Sequence, residues 1–193
     1  MKLTALAVAL VFAAFSTGVG YSGPLELKPE YKPALMKNRP KVIDPDKSVY
    51  GVPFGASEAQ LVAAFGDPNG LIVVSDSAKA FLYGSTHLFL FKSGKLRELI
   101  VGHSVIDWQL SQRMDGNPFF DAGGWTMAPG IQNEMTFEQV QKVLRKPSAV
   151  PDHQYSYETD NAVVELMFSS MSGPGTDNTK YRLFGFNVRN YGN

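Results

Sequence analysis

The sequence predicts an α+β protein of two tandem modules, each a short capped helix packed on an antiparallel β-meander. Three observations predict it: a stretch that recurs at an offset of 79 residues, a capping box heading each copy, and strand-like apolar runs behind each box. The recurrence appears when Gly51-Val52 is set against Gly130-Ile131 and both are read forward without gaps. Ser57 then meets Thr136, Gln60 meets Gln139, Leu61 meets Val140, Phe65 meets Leu144 and Pro68 meets Pro147. A match at fixed offset points to one supersecondary unit used twice.

Each matched pair has a physical role. Ser57 and Thr136 are N-caps with glutamine three positions on, so the hydroxyl takes a free amide of the first turn and the glutamine reaches back. Behind them, Leu61, Val62 and Phe65, and Phe137, Val140, Val143 and Leu144, form apolar stripes at helical spacing. Pro68 and Pro147 forbid continuation, which leaves helices of two to three turns that need a larger element to pack on.

That element is a sheet. Leu71–Val74, Ala80–Tyr83, His87–Phe91 and Leu96–Val101 read as strands, with Ser93-Gly94 suited to a tight hairpin. In the second copy Tyr155 and Tyr157 alternate with polar residues, followed by Val163–Phe168 and Tyr181–Val188. Two such meanders could also set their sheets side by side.

Outside the modules, Met1-Lys2-Leu3 precedes an apolar run to Phe15 and small residues to Gly20, the three parts of a secretory signal. The cut falls after Gly20 or after Ser22. The apolar run is shorter than the roughly 20 residues of a membrane span. Residues 21–47 carry five prolines interleaved with lysines and read as an extended arm or spacer. The expected division is signal peptide 1–20, arm 21–47, first module 48–102, connector 103–127 and second module 128–190.

Composition excludes several function classes. Eighteen basic and eighteen acidic residues balance to a net charge of zero, against a nucleic-acid binder. With no cysteine there is no disulfide scaffold, thiolate chemistry or thiolate-bound zinc. The serines lack a nucleophile elbow, and no phosphate-binding glycine loop occurs. Of the three histidines, His103 stands four residues before Asp107, a spacing that would share a helical face as a metal or acid/base pair, but without a third ligand. His87 is expected on a strand position facing water, and His153 in a loop. No catalytic residue, metal or cofactor is assigned.

The run Gly55-Ala56-Ser57-x-x-Gln60-Leu61-x-x-x-Phe65-Gly66-x-Pro68, with the hairpin Ser93-Gly94-Lys95-Leu96, resembles the SmpA/OmlA-type domains of bacterial outer-membrane assembly. The tandem arrangement resembles the related β-lactamase-inhibitor-protein fold. The resemblance implies a non-enzymatic fold that binds other proteins. Without cysteine, neither the lipoprotein anchor nor the inhibitor's disulfides carry over, and the second copy has Arg145-Lys146-Pro147 where the first has Gly66-Asp67-Pro68.

Candidate binding residues are therefore aromatics. Trp108, Phe119, Phe120 and Trp125 lie in a glycine-rich connector, either as recognition anchors or as plugs between modules. Tyr155 and Tyr157 carry the same ambiguity on a strand. The expected function is a periplasmic or secreted, non-enzymatic module that binds another protein. An inhibitor of an extracellular or periplasmic hydrolase is the alternative, and a small hydrolase or metal protein using His103 and Asp107 a third.

Overall fold

A computed structural model describes residues 25–27, 39–102, 105, 116–145, 154–170 and 181–192. Along the chain these form β1 (Leu25–Leu27), β2 (Val42–Asp44), β3 (Ser48–Val49), β4 (Val52–Pro53), α1 (Glu58–Phe65), β5 (Gly70–Ser75) and β6 (Ala78–Tyr83). There follow β7 (His87–Lys92), β8 (Lys95–Val101), α2 (Pro118–Asp121), β9 (Thr126–Met127), β10 (Ile131–Gln132) and α3 (Phe137–Leu144). The chain closes with β11 (Gln154–Glu158), β12 (Ala162–Ser170) and β13 (Tyr181–Asn190).

The fold is mostly β, built on two large sheets, with three short helices among the described residues. This corrects the expected α+β fold of two tandem modules, each a capped helix on its own meander. The strands form where the apolar runs predict them, yet they do not close into separate units. β8 pairs antiparallel with β13, joining eight strands into one sheet in the order β1-β5-β6-β7-β8-β13-β12-β11. The physical reason is edge satisfaction. Two separate meanders would each leave a row of backbone donors and acceptors open. Pairing β8 with β13 closes both rows and sets Val101 opposite Phe186 and Leu99 opposite Val188, which extends one apolar face across the seam.

A five-stranded sheet of order β10-β9-β2-β3-β4 covers part of that face. Its middle strand, β2, is antiparallel to β3 and parallel to β9. β2 comes from the stretch whose prolines suggest an arm. Pro40 and Pro45 stand just outside Val42-Ile43-Asp44, so the strand keeps its ladder donors, and Ile43 is fully buried.

Both capping boxes are present. Gln60 N donates to Ser57 Oγ at 3.3 Å and Ser57 N to Gln60 Oε1 at 2.8 Å. Thr136 and Gln139 repeat the exchange at 3.1 and 2.8 Å. Each helix has only eight residues, so its stability rests on what it buries. Leu61, Phe65 and Val140 are fully buried in the single apolar cluster between the sheets and helices, worth about 1.5–3 kcal/mol per side chain. Ser93 and Gly94 both have positive φ, 50° and 72°, and close the β7–β8 hairpin, as a type I′ turn requires. Among the described residues no helix is long and apolar enough to cross a membrane.

One glycine marks the seam. A Cβ on Gly185 would sit 2.4 Å from the Val101 carbonyl oxygen and 2.9 Å from Gly102 Cα, both backbone atoms that cannot swing away. Gly185→Ala is expected to destabilise the protein by about 1–3 kcal/mol. Urea unfolding followed by tryptophan fluorescence and by far-UV circular dichroism should give one coincident transition for both proteins. Two separate transitions would contradict a continuous sheet.

Candidate functional site

Two arrangements of polar side chains stand out on the inner side of the large sheet. One is closed and one is open.

The closed one begins at α2. Asn117 caps this short helix, accepting from Phe119 N at 3.0 Å, with Pro118 in the first turn. The last helical residue, Asp121, folds back. Its Oδ2 accepts from Asn117 N at 2.7 Å, and its Oδ1 accepts from Ser85 N at 2.8 Å. The fit needs glycine at the neighbouring turn, because a Cβ on Gly84 would lie 2.3 Å from Asp121 Oδ1. Thr86 Oγ1 then stands 3.2 Å from both Asp121 Oδ1 and the Phe120 carbonyl, and 2.8 Å from His87 Nδ1. On the far side of the ring, Tyr50 Oη is 2.8 Å from His87 Nε2.

Donor accounting sets the tautomer. The carbonyl and the carboxylate can only accept, so the Thr86 hydroxyl proton goes to them. Thr86 must therefore accept from His87 Nδ1–H, which leaves Nε2 bare to accept from the Tyr50 hydroxyl. The ring is neutral. Burial, with the nearby Lys41 ammonium adding repulsion, pushes the His87 pKa down to about 3, and burial raises that of Tyr50. His87 is 2% exposed and Tyr50 1%, so no substrate reaches either group. This corrects the expectation that His87 faces water. It shares a face with Phe89 and Phe91, two and four residues on, and that parity is the sequence signal for its burial. Lys41 Nζ donates to the Gly123 carbonyl at 2.6 Å and lies over the Phe119 ring, tying β2 to the same cluster.

The open arrangement is a cleft of about 320 Å³ where three turns meet. The β2–β3 turn supplies Asp44, Pro45 and Asp46, and the β9–β10 turn supplies Ala128 and the cis-bonded Pro129. Leu144 comes from the end of α3, and Tyr157, Glu158 and Thr159 from β11 and the turn after it. Tyr157 Oη donates toward the Ala128 carbonyl and Met127 Sδ, each at 3.3 Å, and burial together with the Asp46 charge raises its pKa. Asp46 Oδ1 accepts from Thr159 Oγ1 at 2.6 Å and Asn161 N at 2.8 Å, while Asn190 Nδ2 holds the Pro45 carbonyl at 2.9 Å. These bonds fix the acidic wall. Among the described residues the cation paired there, Lys47 with Asp44 at 3.2 Å, is largely exposed, and such pairs contribute little. The cleft therefore has a negative side, an apolar side of Pro45, Pro129 and Leu144, and an exposed Glu158 at its lip.

A third group lies on the opposite sheet face. Arg189 pairs with Glu165, and burial raises the Glu98 pKa against the pull of Asn187 and Arg189. Asn187 Oδ1 and Arg189 Nε are buried there without a partner among the described residues.

The aromatic candidates have divided fates. Trp125 is buried against Phe186, and Tyr155 against Phe137. Phe120 is buried against His87 and Tyr83, with half-buried Phe119 beside it. Tyr157, 7% exposed, alone among the described candidates lines the cleft. Trp108, His103, Asp107 and His153 lie outside the described residues. Among the described residues no group of three metal-ligating side chains converges. Neither the family models nor the curated proteins nor the solved structures contain a match to this chain.

The buried histidine has a consequence for stability. Its folded-state pKa lies below the ordinary value near 6.5, so between the two the unfolded chain holds a proton that the folded chain lacks. This contribution is full above about pH 6.5 and declines as pH falls toward about 3, at up to about 1.4 kcal/mol per pH unit. Urea titrations at descending pH should show that decline. His87→Gln should flatten its share of the slope, and an unchanged slope would contradict a neutral buried ring.

Proposed function

We propose that this chain is an exported, non-enzymatic protein of the cell envelope or extracellular space that binds another protein. The observation that carries the reading is the contrast between the two polar arrangements. The histidine cluster satisfies its own members and is sealed from solvent. The cleft is open, negatively charged on one wall and apolar on another, and lies at the small end of the range of ligand pockets, roughly 300–1,000 Å³. A concavity of that size and charge suits one protruding basic side chain of a partner, with the chain beside it. The hydrophobic N-terminal run supports export. The short resemblance of Gly55–Pro68 to outer-membrane assembly domains points to the same class of activity.

Affinity capture of the tagged protein from Tyr21 onward, out of envelope or culture-supernatant extract under mild crosslinking, tests this. One stoichiometric partner is expected, and Glu158→Lys combined with Leu144→Asp should reduce its recovery roughly tenfold or more. Turnover of a substrate by the purified protein, abolished by a point mutation, would overturn the reading.

A further inference from the structure

The cleft does not stand alone on its flank. It lies at one end of β11, the outermost strand of the eight-stranded sheet. At the opposite edge the chain covers itself, with β1 lying antiparallel along β5. Along β11 no strand pairs with the outer edge among the described residues.

Backbone geometry shows what that edge offers. Thr159 N donates to the Ala162 carbonyl at 2.8 Å, so residues 159 and 162 form a hydrogen-bonded pair. Such pairs alternate along an antiparallel ladder. By the register of β11 and β12, Tyr157 with Val164 and Tyr155 with Leu166 are the next two. The residues between them, Ser156 and Glu158, therefore turn their N–H and C=O groups away from β12. Both residues are exposed. Gln154–Glu158 contains no proline and no lysine, and among the described residues its register with β12 runs unbroken over five pairs, with no bulge to turn the edge away.

We propose that β11 accepts an extended segment of the partner protein as a ninth strand, and that a lysine or arginine of this segment enters the cleft. The inference rests on the protein-binding reading above and names the form of the partner. Strand addition draws affinity from main-chain bonds and specificity from pockets for alternate side chains. The inner-facing side chains of an added strand would fall on the side where Tyr157 and Leu144 bound the cleft, within reach of Asp44 and Asp46. Glu158, exposed at the lip of the cleft, favours a second basic residue. Charge complementarity thus selects a basic, extended occupant.

The probe is a fluorescent six-residue peptide alternating valine and lysine, with two controls: glutamate in place of lysine, and a version N-methylated at the amides that would face β11. Fluorescence anisotropy with the full mature protein is expected to show binding of the lysine peptide. N-methylation, which leaves the charge intact, should weaken it roughly tenfold for each main-chain bond lost. Ser156→Pro should do the same, since it removes only an outward donor, as edge strands tolerate. Should that variant fail to fold, the N-methylated peptide on the unaltered protein still decides. Equal binding of the methylated and unmodified peptides would overturn strand addition, even where Asp44→Asn weakens both and the cleft keeps its role. No binding of the lysine peptide would overturn the inference as well, while partner capture judges the protein-binding reading independently. A concentration-dependent dimer that Ser156→Pro abolishes would assign the edge to a second copy of this chain and overturn the partner assignment.

Discussion

Four residue pairs between β8 and β13 hold the two halves of the larger sheet together, from Phe186 with Val101 to Arg189 with Glu98. The inner side of this seam is apolar, and the five-stranded sheet rests against it with Trp125 set edge-on to Phe186. If the halves stood apart, β8 and β13 would both be open edges and β2 would have no continuous surface to lie on. The pairing therefore decides the position of the smaller sheet, and through it the place where the turns of both halves meet.

The same packing accounts for the different fates of the polar groups. A buried polar side chain is tolerated when each donor and acceptor finds a partner. The set Asp121–Thr86–His87–Tyr50 meets that condition and so acts as a lock joining α2, β7 and the turn after β3. At the cleft, the backbone and hydroxyl donors hold Asp46 in place, while half-buried Asp44 keeps an exposed pairing with Lys47 and Glu158 faces water. One arrangement consumes its hydrogen-bonding capacity internally, and the other presents charge outward.

Local features were legible in the sequence, and long-range ones were not. The two capping boxes and the strands of both meanders follow from residue type and periodicity, as Ser57 with Gln60 and the run His87–Phe91 illustrate. The α+β tandem reading failed because β8–β13 pairing depends on which edges meet, and no local pattern encodes that. Val42–Asp44 was hidden by the prolines around it. Composition averages over a window, whereas a strand needs only three donors in a row. The cleft draws on turns near residues 45, 129 and 159, each ordinary by itself, so only Tyr157 could be singled out beforehand, and as an aromatic rather than as a wall of a cavity.

The bond from Asn190 Nδ2 to the Pro45 carbonyl spans 145 positions of the chain. Together with the parallel pairing of β2 and β9, it stitches the beginning of the fold to its end. A polypeptide emerging from a ribosome N-terminus first cannot complete this closure until its final strand is free. β2 can pair early with β3, but the turn after it gains its tie to Asn190 only with the last strand. Such non-local contacts slow folding, and here the last step of closure is reserved for a chain whose full length is already available.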